Sequence, residues 1–203
     1  EHKNVLVDAC IGSGKTTTIQ VLCNEFPEKE ILYLTYNRLL KIDAKEKIKN
    51  RNTHVTNYHG FALKCLNNSK ILTTGVSSLI QTFIENKDRI KIPFYNLLLI
   101  DEYQDIDSEI SELLMCIKNA YPKIQIIAVG DMHQKIYDRT NLNAYKFIEK
   151  FLDNPLHLHF SKCYRLNNEF AARLGKIWHK TIIGVNDSCK VSEMNLNEVE
   201  SYL

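Results

Sequence analysis

Residues Val5 to Thr18 read Val-Leu-Val-Asp-Ala-Cys-Ile-Gly-Ser-Gly-Lys-Thr-Thr-Thr, and this stretch decides the fold of the chain. It begins with three aliphatic residues, which are typical of a buried parallel strand, and apolar residues then recur at helical spacing over 19–26. A strand that passes through glycines into a helix is the setting of a phosphate-binding loop. The stretch therefore predicts an α/β protein of the P-loop NTPase class.

The loop contains residues suited to phosphate and magnesium. Gly12 and Gly14 can adopt backbone angles closed to other residues, and the helix that follows directs its unpaired N–H groups at a bound anion. Lys15 would reach the β- and γ-phosphates, and Thr16 would hold a magnesium ion. Ala9 stands where such loops usually have their first glycine, and the alternative is an ordinary glycine-rich turn with a solvated lysine. The predicted nucleotide-binding residues of the loop are Gly12, Ser13, Gly14, Lys15, Thr16 and Thr17.

The composition is that of a globular chain that can bury a substantial core. Of its 203 residues, 44% are hydrophobic, and no apolar run approaches the length of a membrane span. The six cysteines are scattered without a Cys-x-x-Cys pair, which favours buried thiols in a reducing compartment over a disulfide framework or a zinc site. We expect an intracellular protein of the cytoplasm, nucleus or nucleoid, not secreted and without a membrane partner. The net charge of +2 neither requires nor excludes a nucleic-acid partner.

A second cluster follows the continuous apolar run Leu97 to Ile100, and it reads Asp101-Glu102-Tyr103-Gln104-Asp105. A carboxylate at the tip of a buried strand in a phosphate-loop protein is where magnesium is held, and an adjacent glutamate can deprotonate a water for attack on the γ-phosphate. An isolated Asp-Glu pair would more simply mark the start of the helix predicted over 108–120. Together with the loop, the cluster predicts Asp101 as a metal ligand and Glu102 as a catalytic residue.

Two further predicted strands end in residues suited to nucleic acid. Ile31 to Thr35 is followed by Tyr36 and Arg38, which could stack on a base and hold a phosphate, or could form a turn with an exposed aromatic. Thr53 to Thr56 is followed by His59, which could contact a phosphate or simply begin a helix. Position alone does not decide between these alternatives.

The strand predicted over 123–129 also ends in a polar cluster. The amide of Gln134 can donate and accept hydrogen bonds at once, so it could sense the γ-phosphate; the alternative is a loop whose side chains satisfy one another. Residues 156–160 alternate leucine and histidine, which is typical of a half-buried strand and requires no ligand. The less favoured alternative is a metal site formed by His157, His159 and Cys163.

With these clusters in this order, the sequence resembles superfamily 1 DNA helicases of the UvrD/Rep type, nearest the F-box DNA helicase branch. In that family alanine commonly takes the first position of the phosphate loop, as Ala9 does here. Two segments, 35–38 and 56–61, resemble the motifs that line the family's single-strand channel. The remaining matches are residues 9–17 with the phosphate loop, 101–105 with the Asp-Glu-x-Gln-Asp box, 130–137 with the third motif and 164–165 with the fourth.

The resemblance implies a RecA-like fold, which is a parallel sheet with helices on both faces. Residues 1–155 would form the first RecA-like, ATP-binding domain. Within it, residues 62–95 would form a small helical insert, shorter than the accessory domain of the family. Residues 156–203 would be the truncated start of a second RecA-like domain.

The same resemblance implies ATP and Mg²⁺ as cofactors and gives roles to individual residues. The implied catalytic residues are Lys15, Glu102, Gln134 and Arg165. Tyr164 would stack on adenine, while Arg165 would contact the γ-phosphate from the second motor domain. Arg139 stands in place of an aromatic residue that stacks on a base, and a guanidinium plane can also stack. The implied DNA-binding residues are Tyr36, Arg38, Thr56, His59, Phe61, Tyr137 and Arg139.

The expected function is that of an ATP-dependent DNA helicase or single-strand DNA translocase, moving 3′ to 5′, with single-stranded or partly duplex DNA as its partner. This chain would supply the ATP- and magnesium-binding half of the motor. The family's glutamine motif has no room before Glu1, and its Gln-x-x-Lys-Gly segment and later arginine motif do not follow Arg165. Hydrolysis by the fragment alone is therefore expected to be weak, because an arginine of that kind contributes about 10³–10⁵ in rate.

Two other classes of protein share part of this pattern. A small-molecule kinase or GTPase would share the phosphate loop, but it has no reason to carry the clusters at 101–105 and 130–137. A non-hydrolysing binding module would use ATP only to switch a nucleic-acid or protein interface. A measurement of ATP hydrolysis distinguishes the two, because a motor hydrolyses ATP and such a module does not.

Overall fold

The computed structural model describes residues 3–36, 38–73, 75, 77–135 and 142–190. Its strands are β1 (Val5–Ala9), β2 (Ile31–Thr35), β3 (Thr53–Asn57), β4 (Leu97–Asp101), β5 (Gln125–Gly130), β6 (Leu156–Phe160), β7 (Lys162–Cys163) and β8 (Ile183–Gly184). Its α-helices are α1 (Lys15–Glu25), α2 (Arg38–Lys47), α3 (Tyr58–Asn68), α4 (Leu79–Glu85), α5 (Ser108–Ala120), α6 (Ala144–Leu152) and α7 (Asn168–Trp178). Short 3-10 helices cover Lys87–Arg89, Tyr103–Asp105 and Met132–Gln134. Within the described part of the chain, no helix combines the length and apolar character needed to cross a membrane.

The first six strands form one sheet in the order β3-β2-β4-β5-β1-β6, and every neighbouring pair is parallel. The carboxyl ends of these strands therefore lie along one edge of the sheet, where ligands of open α/β sheets bind. The register places Asp8 beside Gly130 and Asp101 beside Val129. The phosphate-loop stretch and the clusters after β4 and β5 thus meet at this edge.

Both faces of the sheet are covered by helices. Leu32 and Leu34 of β2 belong to a core that includes residues of α3, α4, α5 and α6. Ile31 and Tyr33 of the same strand belong to a second core, with residues of α1 and α2. Every residue of β2 is buried, as expected for a strand with helices on both sides. The predicted parallel sheet with helices on both faces is therefore confirmed.

The segment predicted as a helical insert, residues 62–95, contains helices, and their apolar residues pack into the main core. Its helices are the later part of α3, which ends at Asn68, and α4, which begins at Leu79. Leu79, Ile80 and Phe83 of α4 are buried in the same cluster as the sheet residues Leu32 and Leu98. The segment therefore thickens one layer of the sheet domain instead of forming a separate core.

The first sheet extends past the predicted domain boundary at residue 155, because β6 belongs to it. β6 pairs in parallel with β1 over its whole length, from Val5 opposite Leu156 to Ala9 opposite Phe160. The small sheet of β7 and β8 and helix α7 follow it and share a separate cluster with Cys10, Cys163, Ala171 and Ile182. Assignment of the chain after residue 160 to a second RecA-like domain stays a prediction.

Candidate nucleotide-binding and hydrolysis site

The phosphate-loop stretch forms a tight connection between β1 and α1. Gly12 and Gly14 have φ of +64° and +83°, in the left-handed region that favours glycine, and α1 begins at the next residue, Lys15. The Lys15 side chain is only 7% exposed, and its Nζ lies 4.0 Å from Glu102 Oε2. The hydroxyl of Ser13 is buried without a hydrogen-bond partner among the described residues. The amides at the start of α1, the ammonium of Lys15 and this hydroxyl together suit a bound phosphate.

Asp101 and Thr16 form the candidate metal site. Thr16 Oγ1 donates a hydrogen bond to Asp101 Oδ2 (3.2 Å), and the Tyr33 hydroxyl donates to the same oxygen (2.8 Å). The other oxygen, Oδ1, is buried and has no partner within the described part of the chain. Burial, and after it the negative charge of Glu102, raises the pKa of Asp101 to about 6. Mg²⁺ prefers oxygen ligands and needs few from the protein, so an unsatisfied carboxylate oxygen beside a hydroxyl fits this ion.

The predicted alternative of a His-Cys metal site receives no support from the geometry. Among the described residues, no group of three or more His, Cys, Asp or Glu side chains is arranged to hold a metal ion. His157 Nε2 instead lies 3.9 Å from Glu149 Oε1, and His159 Nδ1 lies 3.7 Å from Asp8 Oδ2.

Glu102, the predicted catalytic base, differs from its neighbour Asp101 in environment. Its backbone is left-handed (φ +55°), a costly conformation for a residue with a side chain and one that is frequent at functional sites. The carboxylate is partly exposed, and its Oε2 accepts a hydrogen bond from Gln104 Nε2 (2.7 Å). One of the adjacent carboxylates is thus buried and suited to a metal, while the other is accessible to a water molecule.

A buried hydrogen-bond network joins the cluster after β4 to the cluster after β5. Gln104 Oε1 accepts from the backbone N–H of Asp131 (3.0 Å), and Gln134 Nε2 donates to Asp131 Oδ2 (2.7 Å). Asp131 is fully buried, whereas Gln134 is half-buried. The two predicted catalytic side chains Glu102 and Gln134 are therefore connected through Gln104 and Asp131.

Replacement of Gly130 by alanine is expected to lower the free energy of unfolding by about 1–3 kcal/mol. A Cβ atom at this position would lie 2.6 Å from both Gln104 Oε1 and Tyr103 Cδ1, so the network would have to shift. For a chain of this size each kcal/mol corresponds to about 2–4 °C in Tm, which thermal unfolding would measure. Gly75→Ala is the matched control, because its Cβ would meet nothing within 4 Å. Equal Tm values for the two variants would contradict the predicted clash.

Tyr164 and Arg165 lie beside the phosphate loop. The Tyr164 backbone N–H donates to the Gly12 carbonyl (2.9 Å), while its ring is 61% exposed. A Cβ atom on Gly12 would lie 2.9 Å from Arg165 Cγ, so the stem of Arg165 packs directly against this glycine. A cavity of about 480 Å³ opens next to the loop. Its lining residues are Gly12, Ser13, Gly14, Thr17, Thr18, Val21 and Tyr164.

The predicted DNA-binding residues divide into accessible and buried ones. Tyr36, just after β2, and His59, in the first turn of α3, are exposed. Thr56 is buried at the end of β3, and its hydroxyl donates to the backbone carbonyl of Asn57 (3.2 Å). The Thr56 side chain is therefore inaccessible to DNA in this structure, and its role as a DNA contact stays a prediction.

Phe61 is also inaccessible. Its ring is fully buried, with its centroid 6.3 Å from that of Phe83 and 6.5 Å from that of Tyr95. It packs in the core and offers no face to a base. The side chain of Arg38, together with Tyr137 and Arg139, lies outside the described residues, so these three assignments stay predictions.

One charged residue at this site is missed by the sequence analysis. Lys180, just after α7, donates from Nζ to Asp8 Oδ1 (2.7 Å) and to Asp131 Oδ1 (3.2 Å). A lone lysine after a helix carries no sequence signal, because only the folded chain brings it to the strand ends.

A family model described as an AAA domain matches residues 1–140. The Pif1 helicase of Candida albicans is 16% identical, with a TM-score of 0.50, and the match covers 88% of this chain and 40% of that chain. Arterivirus nonstructural protein 10, a helicase, is 11% identical with a TM-score of 0.55, over 89% of this chain and 41% of that chain. A Bacteroides Pif1 helicase in complex with ADP-AlF3 and single-stranded DNA is 16% identical, with a TM-score of 0.52. The match covers 99% of this chain and 52% of that chain.

At these identities the structural matches show the fold, which is the RecA-like fold of helicase domains. The chain spans only 40% to 52% of the length of these three chains. No curated protein matches the chain.

Proposed function

Because the chain belongs to the AAA domain family whose model matches residues 1–140, we propose that it binds ATP and Mg²⁺ and forms part of an ATP-dependent helicase or single-strand DNA translocase. The observation that carries the proposal is the meeting of three groups at one sheet edge. These are the buried Lys15 of the phosphate loop, the Thr16–Asp101 pair with its unsatisfied oxygen, and Glu102 linked through Gln104 and Asp131 to Gln134.

The proposed division of labour follows from burial and charge. Lys15 neutralises the β- and γ-phosphates, and Thr16 and Asp101 would hold Mg²⁺, which when bound offsets the negative charge of the transferred phosphoryl group. Glu102, which is partly exposed, orients the attacking water and accepts its proton. Gln134 senses the γ-phosphate and is held in place by Asp131. With these roles, the edge of the sheet at the carboxyl ends of its strands would be an ATP hydrolysis site.

Tyr164 and Arg165 are proposed to complete the nucleotide site. The exposed Tyr164 ring beside the 480 Å³ cavity offers a face for adenine. The stem of Arg165 packs on Gly12, so its guanidinium is proposed to contact the γ-phosphate before hydrolysis and to lose this contact when the phosphate leaves. Movement of a second RecA-like domain, which we propose to begin after residue 160, would then couple hydrolysis to translocation.

The DNA strand is proposed to run past the exposed side chains Tyr36 and His59, with Arg38, Tyr137 and Arg139 as further contacts. Aromatic side chains stack on bases without regard to sequence, which suits a translocase. We further propose UvrD/Rep-type 3′ to 5′ movement, near the F-box branch, and an intracellular location, both from the sequence resemblance. Assays of strand polarity on tailed duplexes would test the direction.

The proposal is tested by steady-state ATP hydrolysis with and without single-stranded DNA, on the chain together with any sequence that flanks it in its natural protein. We expect DNA to raise kcat at least about tenfold, because binding of the strand completes the site that hydrolyses ATP. Tight ATP binding without turnover would instead identify an ATP-switched binding module. Turnover that requires a small-molecule acceptor and ignores DNA would identify a kinase.

A further inference from the structure

Lys180 contacts three oxygen atoms at the edge of the sheet where the carboxyl ends of the strands lie. Helix α7 ends at Trp178, and a left-handed residue, His179 (φ +49°), turns the chain back toward the sheet. The Lys180 side chain is 13% exposed, and its Nζ donates to Asp8 Oδ1 (2.7 Å), the Ala9 carbonyl (3.0 Å) and Asp131 Oδ1 (3.2 Å). An ammonium has three hydrogens, so each of these acceptors can receive one.

The three acceptors lie at the carboxyl ends of two neighbouring strands of the sheet. Asp8 and Ala9 end β1, from which the phosphate loop leaves, and Asp131 follows β5. A fully buried carboxylate such as Asp131 is costly unless it is paired and hydrogen-bonded. Lys180 supplies an ammonium to this carboxylate, with its Nζ 3.2 Å from Asp131 Oδ1.

Asp131 in turn holds the predicted phosphate sensor. Its Oδ2 accepts from Gln134 Nε2 (2.7 Å), while the oxygen bonded to Lys180 also accepts from the His133 backbone N–H (3.2 Å). Loss of the ammonium would remove one of the bonds that fix the orientation of this carboxylate. The Gln134 amide would then lose a fixed acceptor, and the start of the phosphate loop would lose its bond at Ala9.

We propose that Lys180 is a positioning residue for ATP hydrolysis, which orients the Gln134 amide through Asp131 and fixes the first residue of the phosphate loop through Ala9. The inference rests on the proposed function and deepens it. It also gives the segment that carries Tyr164 and Arg165 a second connection to the sheet, because Lys180 lies between α7 and β8. A movement of this segment would therefore change the position of Asp131 and, through it, of Gln134.

The first test is Lys180→Met, which removes the charge and keeps the stem. We expect DNA-stimulated kcat to fall about 10–100-fold, the loss typical of a hydrogen-bonded charge, while KM for ATP and the Kd of a fluorescent ATP analogue change less than about threefold. Lys176→Met is the matched control, because Lys176 lies one turn earlier and is exposed. Wild-type kcat in Lys180→Met, or an effect on KM alone, would overturn the proposal.

A double-mutant cycle shows whether Lys180 acts through Gln134. If it does, Gln134→Ala should cost much less in the Lys180→Met background than in the wild type, because the amide is already misplaced. Losses in kcat that multiply independently would contradict a shared role and leave Lys180 as a general stabiliser of the fold.

Amide hydrogen exchange tests the inference independently of hydrolysis. Lys180→Met should increase exchange in peptides covering 8–14 and 129–135 and leave peptides covering β2 and β3 unchanged. Unchanged exchange in the first two peptides, or an increase everywhere, would overturn the positioning role. An inactive wild type with the expected local exchange would instead reject the proposed function and retain the role of Lys180 in ordering these segments.

Discussion

Replacement of Lys15 by alanine is expected to reduce ATP turnover by about 10²–10³-fold or more, as for the loss of a group that stabilises transition-state charge. The ammonium is buried at the start of α1, 4.0 Å from Glu102. It also helps to keep Asp101 ionised, since its charge lowers the pKa of that carboxyl group against the effect of burial. The variant therefore loses the ammonium that binds the phosphates, and its candidate metal site is weakened at the same time.

This prediction is checked by steady-state hydrolysis and by binding of a fluorescent ATP analogue, with circular dichroism to show that the fold is retained. Lys47→Ala is a suitable control, because Lys47 is exposed and its ion pair with Asp43 lies on the surface, where solvent screens it. Normal turnover in the Lys15 variant would remove the phosphate loop from the mechanism and with it the proposed function.

The elements that form the site follow from local sequence signals. In a parallel sheet the carboxyl ends of strands share an edge, so Lys15, Asp101 and Gln134 could be assigned to one site once their strands were recognised. The order of the strands within the sheet is harder to predict from local sequence patterns. β6 pairs with β1 although most of the sheet's other strands lie between them in sequence, so local patterns do not indicate that the first sheet extends past residue 155.

The burial of Thr56 and Phe61, both predicted to contact DNA, has a different origin. Both residues lie in a segment that resembles a channel-lining motif. Thr56 is buried in β3, and Phe61 lies in α3, which buries side chains with a helical period. These are Tyr58, Phe61, Ala62, Cys65 and Leu66. That periodicity is present in the sequence and indicates a core position for Phe61. Lys180 is the opposite case, because its three acceptors come from β1 and from the residue after β5, and no local pattern predicts them.

Replacement of Glu102 by glutamine is expected to lower DNA-stimulated turnover by about 10²–10⁴-fold, the usual contribution of a general base. The amide has nearly the shape of the carboxylate, and its oxygen can still accept the hydrogen bond from Gln104 Nε2 (2.7 Å). It cannot accept a proton from the attacking water. The fold and the link to Asp131 are therefore expected to survive while the chemical step fails.

ATP binding distinguishes this variant from Lys15→Ala. The charge of Glu102 is, after burial, the next cause of the raised pKa of Asp101, so its removal lets Asp101 ionise more readily and favours binding of a cation there. We therefore expect the Kd for Mg-ATP in Glu102→Gln to be unchanged or lower, whereas Lys15→Ala raises it. Glu149→Gln, on the exposed surface of α6, controls for loss of a carboxylate as such. Unchanged turnover in Glu102→Gln would assign the base to another residue, and a parallel loss of Mg-ATP binding would show that Glu102 acts on the metal site instead of on the water.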